Sequence, residues 1–282
     1  MALDFSVAGL VLLAAVFHAS WNAIAKGSGD FLLTFSVLSG VAGVAGAALA
    51  AVSPMPAPES WPYIAASTVV QFAYYAFLHF AYRVGDLSVV YPLARGSSPA
   101  LVALGGAVVA GEALGGRELA GVLVVSLGIA SLAFTSRRGQ SEPLAIVYAF
   151  ATGLTIGTYT VIDGLGVRLS GSPGGYVGWL FMAAGGLTFL FITVIRGRGN
   201  VAIYAPYLAR GTIGGILVIA GYGMVVWALS LGAMAPVAAL RETSVIFAAV
   251  FGAVFLGEPF GRARIAAATV VVAGLFVLNV PF

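Results

Sequence analysis

The strongest constraint in this sequence is an internal repeat. The segment from Arg95 to Gly128 reappears, shifted by 146 positions, as the segment from Arg241 to Gly274. Both copies are long apolar runs, so each half of the chain carries the same membrane-spanning pieces. We expect an odd number of spans between them, which would invert the second copy relative to the first. Inverted repeats in a membrane are typical of transporters with one central site.

Composition and segment lengths predict an all-α polytopic membrane protein. Apolar residues make up 61% of the chain and charged residues 8%, against about 25% charged residues in soluble domains. A spanning helix needs about 20 apolar residues. Ten segments qualify, which predicts ten transmembrane helices as two inverted five-helix repeats, residues 1–138 and 143–282, in one membrane domain. The segments are 4–25, 32–52, 62–83, 87–110, 116–134, 143–163, 175–195, 207–230, 233–256 and 262–280.

Several function classes are disfavoured by what the sequence lacks. There is no cysteine and there are only two histidines, so thiolate sites and a catalytic metal site are not expected. We find neither paired carboxylates nor a nucleophile with its base, and therefore predict no enzyme and no cofactor. The basic residues are too dispersed for nucleic-acid binding. The expected partners are the lipid bilayer and a small-molecule substrate, and we expect a monomer.

The basic residues in the predicted loops give an orientation. One side holds eight of them and the other only Arg117 and Arg168. Because cytoplasmic loops carry the excess of Lys and Arg, the first side is predicted to be cytoplasmic. We therefore expect a bacterial plasma (inner) membrane protein with both termini outside. The eight are Lys26, Arg83, Arg137, Arg138, Arg196, Arg198, Arg262 and Arg264.

The repeated Gly-Glu pairs, Gly111-Glu112 and Gly257-Glu258, end the fourth and ninth segments. With the ten spans, they resemble the EamA branch of the drug/metabolite transporter superfamily over nearly the whole chain. Within the branch, the chain is most similar to the YddG-type exporters of aromatic and other neutral amino acids. The resemblance implies a transporter without ATP hydrolysis that exports small amphipathic metabolites.

Two arginines lie deep in the predicted membrane. Arg95 is about 15 Å beyond the start of the fourth segment and Arg241 about 14 Å into the ninth, at about 1.5 Å per residue. A charge at this depth is costly unless it faces protein or water. Either the arginines clamp a substrate carboxylate, or they form a structural pair in which Glu242 neutralises Arg95. Because Pro92 and Pro99 flank Arg95, we expect the fourth segment to be broken up near Tyr91, and the ninth to be irregular more mildly near Ser244.

A polar and aromatic stripe on the third segment predicts a cavity wall. Its members recur at helical spacing, and the eighth segment echoes them with Tyr222 and Trp227. On the first and sixth segments, His18 and Asn22 correspond to Thr155 and Tyr159. Tyr82 could instead belong to an interfacial belt, Trp21 could face lipid, and either histidine could be a hydrogen-bonded core residue. The stripe consists of Gln71, Tyr75, His79 and Tyr82.

These observations predict export of amino acids by alternating access through a midplane cavity. The alternatives are export of cationic drugs, nucleosides or sugars, or a facilitative pore. The possible intramembrane proton carriers are Asp163, Glu242, His18 and His79, and Asp163, at the predicted end of the sixth segment, could simply be solvated. Proton antiport and facilitated diffusion both remain open.

Overall fold

The chain folds as a bundle of α-helices in a computed structural model that describes residues 4–85, 87–135, 142–196, 201–256 and 261–279. No strand occurs among these residues. Short 3-10 helices cover Pro58–Ser60, Ser131–Thr135 and Val201–Tyr207. The α-helices are α1 (Phe5–Lys26), α2 (Phe31–Val52), α3 (Trp61–Val84), α4 (Leu87–Val109), α5 (Gly116–Ala130), α6 (Pro143–Ser170), α7 (Pro173–Arg196), α8 (Leu208–Leu231), α9 (Met234–Arg241), α10 (Ser244–Leu256) and α11 (Arg262–Asn279).

Eight segments are long and apolar enough to cross a membrane, which confirms the predicted all-α membrane class. Helices α9 and α10 count together as one of the eight, over Met234–Phe255. The remaining two predicted spans correspond to α4, which carries Arg95, and to α11, whose described apolar stretch Ile265–Leu278 is shorter. Their role as spans stays a prediction. The predicted loop between the two halves lies mostly in residues 136–141, outside the described residues.

The structure corrects three details of the predicted helices. Helix α4 is continuous through Pro92 and Pro99. Each proline removes only one backbone hydrogen bond, and the remaining bonds on either side are enough to keep the helix intact. The ninth segment is the broken one, with turns at Glu242 and Thr243 between α9 and α10. Helix α6 continues to Ser170, seven residues past the predicted end, so Asp163 lies inside a helix rather than at its solvated end.

Contacts between helix ends define two ends of the bundle, which we name after Asp4 and Lys26 at the two ends of α1. At the Lys26 end, Arg196 lies 3.8 Å from Asp30, and Arg210 donates to the Gly27 carbonyl at 3.4 Å. At the Asp4 end, the Ala57 amide donates to the Ser170 carbonyl at 2.9 Å. Arg196, one of the basic residues predicted to share a side with Lys26, therefore lies at the Lys26 end, and Arg210 joins it.

Helices α2 and α7 pack closely and run antiparallel. A Cβ atom on Gly43 would lie 3.0 Å from the Gly186 amide, and one on Gly46 would lie 2.7 Å from the Met182 amide. A Cβ on Gly185 would lie 2.6 Å from the Ser39 carbonyl oxygen. Small residues let helix backbones approach where lipid supplies no hydrophobic force between them. The glycines of both halves thus form the close contact between α2 and α7.

Helices α5 and α11 also run antiparallel, and their contacts mirror each other. A Cβ on Gly128 would lie 2.8 Å from Val270 and 3.4 Å from Val271. A Cβ on Gly274 would lie 2.8 Å from Val125 and 3.0 Å from Val124. Since these positions are related by the 146-residue shift, each helix presents to its counterpart the same glycine and the same two valines.

The buried apolar side chains are distributed unequally between the two ends. One large cluster fills the Asp4 end, where it includes Val11, Tyr176 and Met234. Toward the Lys26 end they form two separate clusters. One joins α3, α4 and the start of α6 around Ala81, Val90 and Ala145. The other joins α1, α2 and α7 around Trp21, Ala25, Phe35, Leu38 and Ile192.

Replacing Gly185 by Ala should destabilise the fold, because its new methyl group would meet the α2 backbone at Ser39 and Gly43. Overpacking of this kind typically costs about 1–3 kcal/mol. Gly186→Ala is the matched control, since a Cβ there meets no atom within 4 Å. Thermal unfolding in detergent should show a lower melting temperature for Gly185→Ala alone. Equal melting temperatures for the two variants would contradict this packing.

Candidate substrate cavity

A polar and aromatic cavity lies in the middle of the bundle, between side chains of both halves of the chain. Its volume is about 60 Å³, room for roughly four to six water molecules at about 10–15 Å³ each. Helix α8 supplies the largest share of the lining. The lining residues are Ala14, His18, Trp21, Gln71, Tyr74, Tyr75, Arg95, Tyr159, Phe181, Leu217, Val218, Gly221, Tyr222, Val225 and Arg241.

Arg95, Arg241 and Glu242 form a buried charge cluster beside the cavity. The Arg95 Nε lies 2.7 Å from Glu242 Oε2, and an Arg95 terminal nitrogen donates to the Ser244 hydroxyl at 2.8 Å. Each arginine is 3% exposed and Glu242 is fully buried. The structural pair between Arg95 and Glu242 that the sequence raised as one alternative is therefore present, and it joins the two halves of the chain.

Arg241 is bound less tightly than Arg95. Its terminal nitrogens lie 3.4 Å from Glu242 Oε1 and 3.5 Å from the Thr160 hydroxyl, both at the long limit of hydrogen bonding. Its Nε is buried without a hydrogen-bond partner. Arg241 is the last residue of α9, and two turn residues separate it from α10. Its guanidinium therefore lines the cavity with unused donors.

Asp163 lies on the other side of the cavity wall, fully buried within α6. Its carboxylate accepts hydrogen bonds from the Tyr176 hydroxyl at 2.9 Å and from the Tyr222 hydroxyl at 2.5 Å. Ser67 also hydrogen-bonds to it, and Ser67 in turn accepts a bond from the Gln71 amide at 3.0 Å. A buried carboxylate needs such donors, so Asp163 links α3, α6, α7 and α8 behind the cavity.

Four rings form a continuous aromatic wall, defined here as Tyr74, Tyr159, Tyr222 and Phe181. Successive ring centroids lie 6.0, 5.8 and 6.0 Å apart, and each pair meets edge to face. This arrangement is favourable because the positive edge of one ring meets the negative face of the next. The wall connects α3, α6, α8 and α7 and presents flat apolar surface next to the charge cluster.

The structure brings seven of the predicted site residues to the cavity lining, on six different helices. They are His18, Gln71, Tyr75, Arg95, Tyr159, Tyr222 and Arg241. Ser244 and Glu242 lie behind the lining, bonded to Arg95. Tyr91 also lies outside the lining, one helical turn from Arg95 on α4. Asn22 donates to the His18 carbonyl at 2.8 Å instead of reaching the cavity.

Two predicted site residues are exposed and lie outside the cavity lining. His79 is exposed and meets Phe80 edge to face, and Trp227 is 47% exposed. Both lie on cavity helices, but a straight helix turns its face away from the cavity over several turns. Conversely Trp21, which we expected could face lipid, is 8% exposed and lines the cavity. The side chain of Tyr82 lies outside the described part of the structure.

Sequence reasoning missed a second polar cluster at the Asp4 end, which we call the Glu112 latch: Glu112, Arg168 and Met234. Arg168 lies 2.6 Å from Glu112 Oε1, and the Met234 amide at the start of α9 donates to Glu112 Oε2 at 2.8 Å. Arg168 also donates to the Leu229 and Gly232 carbonyls at the end of α8. The latch thus satisfies free backbone groups at two helix ends and joins α4, α6, α8 and α9.

The Gly-Glu pair itself has a structural reason. Gly111 ends α4 with φ of +68°, a left-handed conformation that glycine adopts without steric cost. The Glu112 amide then bonds back to the Gly106 carbonyl at 3.0 Å. This turn aims the carboxylate at Arg168. The repeated pair Gly257-Glu258 lies outside the described residues.

The second half of the chain is similar to a known transporter family. Residues 143–280 match the EamA-like transporter family. This EamA-like half supplies Tyr159, Phe181, Tyr222 and Arg241 of the cavity, together with Glu242. The match confirms the EamA resemblance over the second half of the chain.

Two further similarities cover more of the chain. An uncharacterized protein of Pseudomonas aeruginosa is 29% identical over 207 residues, which span 72% of this chain and 68% of that protein. A protein of known crystal structure is 18% identical, with a TM-score of 0.76 over 97% of this chain and 98% of the other. That likeness shows that both halves adopt a known fold.

Replacing Glu242 by Gln should strongly destabilise the protein. It would leave two buried guanidinium groups without their shared carboxylate, and removing one partner of a buried pair costs about 3–5 kcal/mol. The control is Glu59→Gln, which neutralises an exposed carboxylate. Thermal unfolding in detergent should show a large drop in melting temperature for the first variant only. Unchanged stability of Glu242→Gln would contradict a structural role for this carboxylate.

Proposed function

We propose that the whole chain is a secondary transporter of small amphipathic metabolites in the bacterial inner membrane. The observation that carries this proposal is the buried cavity between the two halves, with charged and aromatic groups side by side. Buried arginines are costly in a membrane bundle and mark substrate or ion pathways. The EamA-like second half supports transport as the activity, with no chemical conversion of the substrate.

Transport would proceed by alternating access between two inverted five-helix repeats. Several helix pairings support the inversion: α3 packs on α6 as α1 packs on α8, and α4 packs on α6 as α10 packs on α1. The antiparallel α2–α7 and α5–α11 pairs pack each helix on its own counterpart. In such architectures the repeats rock against each other around a fixed site.

The unequal cores of the two ends support one particular state. The Asp4 end holds one continuous apolar cluster and the Glu112 latch, whereas the Lys26 end holds two separate clusters. We infer that the cavity is closed toward the Asp4 end and opens between the two clusters. Since the basic Lys26 end corresponds to the cytoplasmic side, this is the state in which an exporter would load its substrate.

For the substrate, we propose aromatic and other neutral amino acids. The aromatic wall suits a flat or apolar body, and the neighbouring arginines suit a carboxylate. Cationic drugs fit less well, because Glu242 is already paired with Arg95 at 2.7 Å and Asp163 is bonded to two tyrosine hydroxyls. Export of nucleosides or sugars stays the alternative.

Counterflow in proteoliposomes tests this function directly. Purified protein should exchange a radiolabelled neutral amino acid against an excess of the same compound inside the vesicle, and flux should saturate. Repeating the assay with and without a pH gradient separates proton antiport from facilitated diffusion. Organic cations and nucleosides serve as competitors. Flux that rises linearly with concentration would favour a pore, and competition by cations alone would contradict the proposed substrate class.

Breaking the Glu112 latch should shift the protein toward opening at the Asp4 end. The chain contains no cysteine, so a Val218→Cys variant places a single reporter in the cavity. We expect impermeant thiol reagents to label it from the Lys26 side. Adding Glu112→Gln should raise labelling from the Asp4 side severalfold, because a partly exposed ion pair worth about 1 kcal/mol is lost. Glu59→Gln is the control, and equal labelling in both variants would contradict a gating role.

A further inference from the structure

The two arginines of the charge cluster differ in how closely they are bound. Arg95 is held by two short contacts: its Nε lies 2.7 Å from Glu242 as an ion pair, and a terminal nitrogen donates to Ser244 at 2.8 Å. Arg241 has five N–H donors, and among the described residues they make two contacts, of 3.4 and 3.5 Å. Its Nε is buried without a hydrogen-bond partner. The Nε of Arg95 also has no hydrogen-bond partner, so the difference between the two arginines lies in the longer contacts of Arg241. Weakly bound buried donors are costly, and those of Arg241 suit a ligand.

The cluster also carries an unbalanced charge. Among the groups in direct contact, two guanidinium groups share the single carboxylate of Glu242, which leaves one positive charge in excess within the cluster. Asp163 keeps its negative charge when the hydroxyls of Tyr222 and Tyr176 donate to it. It acts on Arg241 through space, but it makes no ion pair with Arg241 among the described contacts. In a buried site an excess charge is strongly felt. The cavity beside Arg241 therefore favours an anionic group.

We propose that Arg241 is the binding residue for the substrate carboxylate, and that the Arg95–Glu242 pair is the structural support that holds the site in place. The ligand class is a small organic carboxylate, zwitterionic or anionic, whose apolar body lies along the aromatic wall. A guanidinium binds a carboxylate through two parallel hydrogen bonds, which fits the unused Nε and terminal donors. This inference rests on the proposed function, since it assigns the substrate class of the same cavity.

The assignment makes the two arginines behave differently when replaced. Arg241→Gln leaves the neutral Arg95–Glu242 pair intact and removes the excess charge, so the protein should fold with an unchanged or higher melting temperature. Arg95→Gln breaks the 2.7 Å pair and should lower it. If Arg241→Gln lowers the melting temperature as much as Arg95→Gln does, Arg241 is a structural residue and the proposal is wrong.

Ligand binding is tested with matched probes in detergent, independently of transport. L-Phenylalanine and 3-phenylpropionate carry a free carboxylate, and their amides do not. Bound ligand raises the melting temperature, so titration gives an apparent affinity for each compound. We expect the wild-type protein to bind both carboxylates and neither amide. Arg241→Gln should bind the carboxylates roughly tenfold to hundredfold more weakly, the loss expected for hydrogen bonds between charged groups.

Arg241→Lys provides the conservative comparison. It keeps the charge but loses the two-pronged geometry, so it should restore part of the carboxylate affinity. Equal binding of amides and carboxylates by the wild type, full carboxylate affinity in Arg241→Gln, or no binding of either carboxylate would each overturn the proposal. Carboxylate binding that depends on Arg241, together with an absence of counterflow for any compound, would uphold this site and overturn the proposed transport function.

Discussion

The carboxylate of Glu242 is the single group on which the centre of this structure depends. It lies at the break between α9 and α10 and contacts Arg95 from the first half and Arg241 from its own. Without it, two guanidinium groups would face each other in a fully buried place, where Coulomb repulsion is little screened. The break puts the carboxylate there: turns at Glu242 and Thr243 replace regular helix, so the side chain reaches the interior between the halves.

The lone carboxylate follows from a difference between the two repeats. Glu242 corresponds to Gly96 in the first half, where a Cβ would lie 2.7 Å from the Ala130 amide of α5. That close packing of α4 on α5 admits no side chain. A strictly symmetric chain would hold either no carboxylate for its two arginines or one for each. With one carboxylate for two arginines, Arg95 and Glu242 form a close pair, and Arg241 is left as the positive group that a site for carboxylates requires.

The all-α class and eight of the ten spans could be predicted because they depend on long apolar runs. The inward face of each helix was harder. Apolar residues surround every helix in a membrane bundle, so polarity alone does not separate Gln71 and Tyr75, which reach the cavity lining, from the exposed His79 of the same helix. The irregularity of the ninth segment near Ser244 was predicted, but the stronger break was expected in the fourth segment, where the helix is continuous. Prolines are visible in a sequence, but α4 continues through both Pro92 and Pro99, because one lost backbone hydrogen bond need not end a helix.

The Glu112 latch escaped prediction for a related reason. Its partners are backbone groups at helix ends, the Met234 amide and the Leu229 and Gly232 carbonyls, which leave no trace in side-chain periodicity. These contacts nevertheless mean that the two ends of the bundle differ in what must be separated to open them. Opening the Asp4 end requires separating a continuous apolar core as well as an ion pair, whereas the Lys26 end is already divided into two clusters. Arg241 belongs to the charge cluster that joins the two halves of the chain. A bound carboxylate that neutralises Arg241 would therefore change the charge between the halves, which must move relative to each other when the Asp4 end opens.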